Sequence, residues 1–206
     1  MADLRDCIVS YIDMTGITPL LTKRSGEAVH VMRKMHEAVS CAVLQVPAHE
    51  EVCLWNDSVL MVGFVTESRT SYRTLMEEVC AMKQIIDSIQ RSYAICVKGK
   101  AFPGPQSESQ ERHGGADQPR LVYLQASSLA FANCFVIEQR ARQAGWRWDW
   151  YIDNRIRTRL SLRHGHDAQH VELHPRSNFR QIHMYKEGFW DMSRAHESRR
   201  TSACAL

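Results

Sequence analysis

Two carboxylates stand where apolar chain would otherwise run on. Asp13 stands near the end of the stretch "CIVSYIDM", which is followed at once by Thr15 and Gly16. Asp57, with Asn56 before it, interrupts a second apolar stretch, "VCLWNDSVLMVGF", 44 positions later. Brought together, the two charges repel unless a cation lies between them. Magnesium or manganese, which take hard oxygen ligands, suits such a pair. Two such ions can clamp the phosphates of a nucleotide while an oxygen attacks in line. Gly16 allows a tight turn beside a ligand, and the N–H groups of a helix starting there point at an anion. Aspartate is equally a turn and cap residue, and spacing alone leaves that reading open.

The elements that must position this pair follow from the hydrophobic pattern. Residues 6–13 predict a buried strand, and 17–43 a long helix with Thr18 as N-cap and Pro19 in its first turn. Its apolar stripe runs through Ala28, Met32, Met35, Val39 and Ala42, with Gly26 a weak point. Residues 50–55 and 58–65 read as two strands joined by the Asn-Asp turn. A second helix over 69–91 buries Leu75, Val79, Met82, Ile86 and Ile89, and another strand starts near Tyr93. Residues 103–120 hold no apolar side chain except Ala116 and predict a mobile arm. Residues 121–125 suggest a short strand, 127–144 a third helix stopped by Gly145, and the aromatic run from Trp146 one or two strands. This order gives an α+β fold, an α/β sandwich on a ferredoxin-like βαββαβ core. Its first and third strands are neighbours, so Asp13 and the turn at Asp57 meet at one edge. One domain over residues 1–191 is expected, with a disordered tail over 192–206.

The 206 residues carry a net charge of +3, too small to argue for nucleic acid, and no basic stripe precedes Arg140, which counts against a polymerase-like palm. No apolar run is long enough to span a membrane, and the charged N-terminus is unlike a signal peptide. Seven cysteines form no regular framework, and Cys7, Cys41, Cys53, Cys80 and Cys96 lie in apolar runs, as free thiols do. A cytoplasmic protein is expected.

The motifs themselves resemble a family. "YIDMTGIT" resembles the first metal motif of class III nucleotide cyclases, and "WNDSVLMV" their second, with Asn56 in place of a glycine. "VKGKAFPG" and "SLAFANCFVIE", ending on Glu138, are similar to a strand and a helix of divergent bacterial members. The resemblance spans roughly residues 6–160. It implies that Asp13, Asp57 and the backbone carbonyl of Met14 hold two divalent cations, Mn2+ or Mg2+. It places the triphosphate on Gly16, Ile17 and Thr18 beside Tyr11. The implied reaction converts a nucleoside triphosphate to a 3′,5′-cyclic nucleotide and pyrophosphate. It implies a homodimer with sites at the interface.

The base-reading positions depart from the purine pattern. They fall on Cys53 and Gln125, neither of which matches an adenine or guanine reader. That makes the chain more similar to the pyrimidine cyclases of bacterial antiphage (Pycsar) systems, implying UTP or CTP as substrate and a role in antiviral defence. The ribose asparagine and the charge-stabilising arginine of the family would fall on Ala132 and Val136, with Asn133, Arg140 and Arg142 nearby. A non-catalytic nucleotide-binding regulatory protein on the same fold is therefore the alternative.

Three further features invite bland explanations. His164, His166, His170 and His174 are spaced like no recognised zinc site and read as a solvated loop. Trp146, Trp148 and Trp150 alternate as one face of a strand, turned to core or to a dimer surface. Lys98, Lys100 and Lys186 can contact phosphate or simply face solvent.

Overall fold

Strand β1 (Leu4–Thr15) is apolar on both faces, Cys7, Val9 and Tyr11 on one and Ile8, Ile12 and Met14 on the other, all buried. A strand of that kind belongs in the middle of a sheet. The computed structural model, which describes residues 4–66, 70–90, 96–107, 129–172, 179–186 and 189, places it there. β1 pairs antiparallel with β3 (Ser58–Phe64) on one side and β4 (Cys96–Ser107) on the other. β2 (Glu51–Trp55) lies outside β3, while β5 (Trp150–Asp153) runs parallel to β4. β6 (Asp167–Glu172) and β7 (Phe179–Tyr185) complete a seven-stranded sheet in the order β2-β3-β1-β4-β5-β7-β6. The first four neighbours, β2-β3-β1-β4, give the β1–β3 adjacency expected of the ferredoxin-like core.

Helices cover both faces. α1 (Ile17–Lys23), α2 (Ser25–Ala42) and α3 (Tyr72–Gln90) enclose a core with Ile8, Ile12, Val31, Met35, Leu75 and Val79. α4 (Leu129–Gln143) packs Ala130, Cys134 and Ile137 onto Val9, Tyr11 and Tyr151 on the opposite face. Asp13, in phase with Tyr11, therefore faces α4.

Several expectations need correction. The helix expected over 17–43 is two helices. Arg24 leaves helical geometry (φ −148, ψ 66); its N–H closes α1 on the Leu20 carbonyl, and its own carbonyl opens α2 by accepting from Glu27 and Ala28. Thr18 is not the N-cap. Gly16 holds that place at φ 107, a conformation that glycine alone adopts freely. β4 extends through residues 103–107, where the arm was expected to begin, because β1 is long enough to pair with all of it. Residues 108–120, the short strand expected at 121–125, and the tail at 192–206 lie outside the described residues.

The aromatic run after Gly145 supplies one strand only. Asp153 caps α5 (Asn154–Arg159) by accepting from the Arg155 N–H at 2.8 Å, so a helix follows β5 directly. The three tryptophans do not share a strand face, since β5 begins at Trp150. Trp150 lies in the core beneath α2 and α3, over Gly99, where any Cβ would collide with its indole. Trp146 and Trp148 pack on the α4 side. The histidine segment is not simply a loop: residues 167–172 are edge strand β6, which exposes His170, and His174 lies outside the described residues.

Candidate functional site

Asp13 and Asp57 meet as expected. Asp13 pairs across the ladder with Ser58, and the Met14 N–H donates to the Asp57 carbonyl at 3.1 Å, which ties the end of β1 to the β2–β3 turn. Asn56 makes that turn possible by taking φ 52, a left-handed conformation that asparagine tolerates. The Met14 side chain is buried in the core on the other face, which leaves only its backbone at the turn.

A short chain of hydroxyls fixes the first carboxylate. Ser58 donates its proton to Asp13 Oδ1 at 2.8 Å. A serine hydroxyl has one proton, so the 2.7 Å contact between Tyr11 and Ser58 must be donated by the phenol. Burial pushes the Tyr11 hydroxyl up to about 12, and the carboxylates of Asp13, Glu138 and Asp57 act in the same direction, keeping it a donor. Tyr11 therefore braces the site from beneath, with Phe135 packed on its ring at 5.1 Å between centroids.

The second oxygen of Asp13 is the anomaly. The residue is 3% exposed, and Oδ2 accepts no hydrogen bond from any described residue. The nearest described counter-charge is Arg142 on α4, whose Nη2 stands 3.6 Å away, beyond hydrogen-bond reach. Arg142 is itself held by Glu138, one turn back, through a 2.6 Å bond from Nε. Asp57 is half-buried, and burial followed by the charge of Asp13 raises its carboxyl above the usual range. Both observations fit a cation: it would satisfy the orphaned oxygen and relieve the repulsion that lifts Asp57. Among the described residues no cluster of three or more His, Cys, Asp or Glu side chains assembles. A metal held here would rest on two carboxylates and backbone oxygen, with phosphate oxygens completing its shell, as magnesium usually does.

The remaining predicted residues fall around this centre unequally. Gly16 turns the chain immediately beyond the strand end at Thr15, Ile17 anchors α1 in the core, and Thr18 is exposed. The first-turn N–H groups at Ile17 and Thr18 have no acceptor within their helix. Cys53 shares the sheet face of Asp13 one cross-strand row away and packs against the α4-side core; burial raises its thiol. Gln125 lies outside the described residues. Ala132 is exposed, Val136 is half-buried, and Asn133, one place away, is buried. Lys186 donates to the Arg147 carbonyl at 2.8 Å and lies over Trp148. For Lys98 the backbone register alone is informative, directly opposite Asp13.

Sequence reasoning missed Ser58 and gave Arg142 no definite place. A polar residue opening an otherwise apolar strand was the available signal for Ser58. The Glu138-to-Arg142 spacing, four residues on a helix, was the signal for the second. Beside the site a cleft of about 380 Å3 opens between Thr15, Arg142, Trp146, Arg147, Trp148 and Asp149. A larger one, about 600 Å3, lies at the far end of β1, where Arg159 closes on Asp6 at 3.1 Å.

No protein-family model matches the chain, and no curated protein matches it in sequence. Solved structures do match. The adenylyl cyclase CyaB from P. aeruginosa superposes with a TM-score of 0.57 at 8% identity, covering 88% of this chain and 94% of that one. The guanylyl cyclase Cya2 gives 0.57 at 10% identity, covering 91% and 96%. A bacterial light-regulated adenylyl cyclase gives 0.56 at 8% identity, over 95% of this chain and 58% of the other. The chain has the α+β fold of the class III cyclases. At such identity the likeness speaks for fold, and chemistry has to be argued from the site.

Proposed function

We propose that the protein is a metal-dependent nucleotidyl cyclase that converts a nucleoside triphosphate, UTP or CTP, into a 3′,5′-cyclic nucleotide and pyrophosphate. The observation that carries this reading is the buried Asp13 carboxylate, with one oxygen that accepts no hydrogen bond from the described residues, set beside Asp57 at the mouth of the Gly16 turn. The cyclase fold adds weight to it. In this reading Asp13, Asp57 and the Met14 carbonyl hold two Mn2+ or Mg2+ ions, which when bound supply charge neutralisation for the polyphosphate.

The chain's own residues do the positioning. Backbone N–H groups at Ile17 and Thr18 receive the phosphates, and Gly16 lets them approach closely. Tyr11 and Ser58 lock the orientation of Asp13. The 3′ oxygen gives up its proton to water and bonds to the α-phosphorus. The bond from that phosphorus to the bridging oxygen breaks, and pyrophosphate leaves with the electron pair. Alignment and charge carry such a reaction.

The pyrimidine preference rests on the departure of Cys53 and Gln125 from both purine patterns, and the antiviral role on that preference. We further read the protein as cytoplasmic, as one domain over residues 1–191, and as a homodimer with sites at the interface. Among the described residues no helix is long and apolar enough to cross a membrane. Ala132 and Val136, which bring neither amide nor cation to α4, favour the alternative of a nucleotide-binding regulatory protein.

Incubation with manganese and each of ATP, GTP, CTP and UTP, followed by mass spectrometry, separates these readings. Cyclic UMP or cyclic CMP from the intact protein, and none from Asp57→Ala, is the expected result. Cyclic AMP or cyclic GMP would keep the reaction and overturn the base class. Metal-dependent binding with no product would select the regulatory reading.

A further inference from the structure

Arg142 stands where a metal's charge would be needed. Asp13 is buried, and among the side chains the structure describes Arg142 is its one ion-pair partner. The guanidinium stops 3.6 Å from Oδ2, too far to donate a hydrogen bond, because Glu138 restrains it through the 2.6 Å bond at Nε. The arrangement supplies charge to the carboxylate while leaving its oxygen open. The Arg142 side chain is 68% exposed, so moving it sacrifices little packing. A divalent ion bound to Oδ2 would lie about 2.1 Å from that oxygen, close enough to the guanidinium to repel it strongly.

We propose that Arg142 is a built-in counter-cation for Asp13, held ready by Glu138, which a divalent metal must displace on entering the site. The proposal rests on the reading of Asp13 and Asp57 as a cation site and adds a positioning residue that neither the fold nor the motifs assign. Without metal, the Arg142–Asp13 pair offsets the charge buried at the end of β1. On metal entry the guanidinium withdraws toward Glu138 and the neighbouring cleft, where Arg142 and Arg147 can face an anionic group of the ligand. Metal alone therefore binds weakly, and nucleotide, by engaging the freed arginine, strengthens it.

Two measurements on the full chain test this. Calorimetric titration with Mn2+ should show Arg142→Gln binding the ion roughly five- to tenfold more tightly than the parent, the scale of one partly exposed ion pair. Added nucleotide should tighten Mn2+ binding in the parent more than in the variant. A purely structural arginine would leave Mn2+ affinity unchanged, and an arginine that helps to form the site would weaken binding on removal; either result overturns the proposal. In a metal-free thermal cycle, Arg142→Gln should lower Tm by about 2 °C in the parent and not at all in Asp13→Asn. An equal loss in both backgrounds overturns it as well. Absence of Mn2+ binding in every protein would sink the cation site and the exchange together, whereas equal binding by parent and Arg142→Gln would sink the exchange alone.

Discussion

Asp13 and Asp153 make an instructive pair. Each closes or nearly closes a strand, each is buried, and each has one carboxylate oxygen without a hydrogen bond among the described residues. Their other oxygens differ. Asp153 Oδ1 takes the Arg155 backbone N–H at 2.8 Å and the Arg155 guanidinium at 3.3 Å, so its charge is absorbed by the start of α5. Asp13 Oδ1 takes a single neutral hydroxyl, and a second carboxylate stands nearby. The next few residues of the chain decide the difference. A helix begins directly after Asp153, whereas after Asp13 the strand runs on to Thr15, and α1 begins at Ile17 with no side-chain cap. The same residue type, placed alike, becomes a cap in one region and a candidate ligand in the other.

That contrast can be broken experimentally, and the largest effect belongs to the β1 end. Asp57→Ala should reduce metal-dependent nucleotide turnover at least a hundredfold while leaving the fold intact, since the side chain sits at a turn; turnover assays with circular dichroism check it. Normal turnover would remove the site assignment.

The next effect lies wholly within the structural half of the sheet. His183 on β7 is buried with both ring nitrogens engaged, Nδ1 accepting from the Gly165 N–H and Nε2 donating to Asn154 Oδ1. Burial, with Arg157 and His164 adding to it, pushes its imidazole down to about 4. A folded value below the unfolded one means that the unfolded chain takes the proton first. Stability is therefore full above about pH 6.5 and falls as the pH drops toward 4, by roughly 2–3 kcal/mol from this residue. Denaturant titrations at pH 7 and 4.5 should show the loss, and it should shrink in His183→Gln.

Asp153→Ala should cost about 1–2 kcal/mol, the usual scale of a lost N-cap, and leave turnover per folded molecule unchanged. If Asp153→Ala abolished turnover instead, the distinction between cap and ligand would collapse. Smallest of all, removal of residues 192–206 should alter neither Tm nor turnover. A change in either would place the end of the domain beyond residue 191.

Much of the site-bearing half is legible in the sequence because its signals are strong and local. The double-faced apolar run of β1, the Asn-Asp turn and the stripe of α3 each have a clear period, and together they dictate that β1 meets β3. The break at Arg24 leaves a weaker mark: residues 22–27 hold no apolar side chain, and the weak residue, Gly26, lies just inside the second helix. β6 escapes a sequence reading because an edge strand reading "DAQHVE" buries only Val171 and shows no alternation. The tryptophans mislead because their period of two starts before any strand has begun. At the site, the aspartates are visible as interruptions, whereas Ser58 looks ordinary at a strand start. The contact of Arg142 with Asp13 joins residues 129 positions apart and has no local signature.

The central claim is that a carboxylate met only by a neutral hydroxyl and a displaceable arginine, beside a second carboxylate at the end of β1, makes a cation site, while the like residue at the end of β5 does not. Electron paramagnetic resonance of bound Mn2+ can count this directly in the parent, Asp13→Asn and Asp153→Asn. The account predicts binding in the parent and in Asp153→Asn, and its loss in Asp13→Asn. Equal binding in all three proteins, or loss in Asp153→Asn alone, would contradict it.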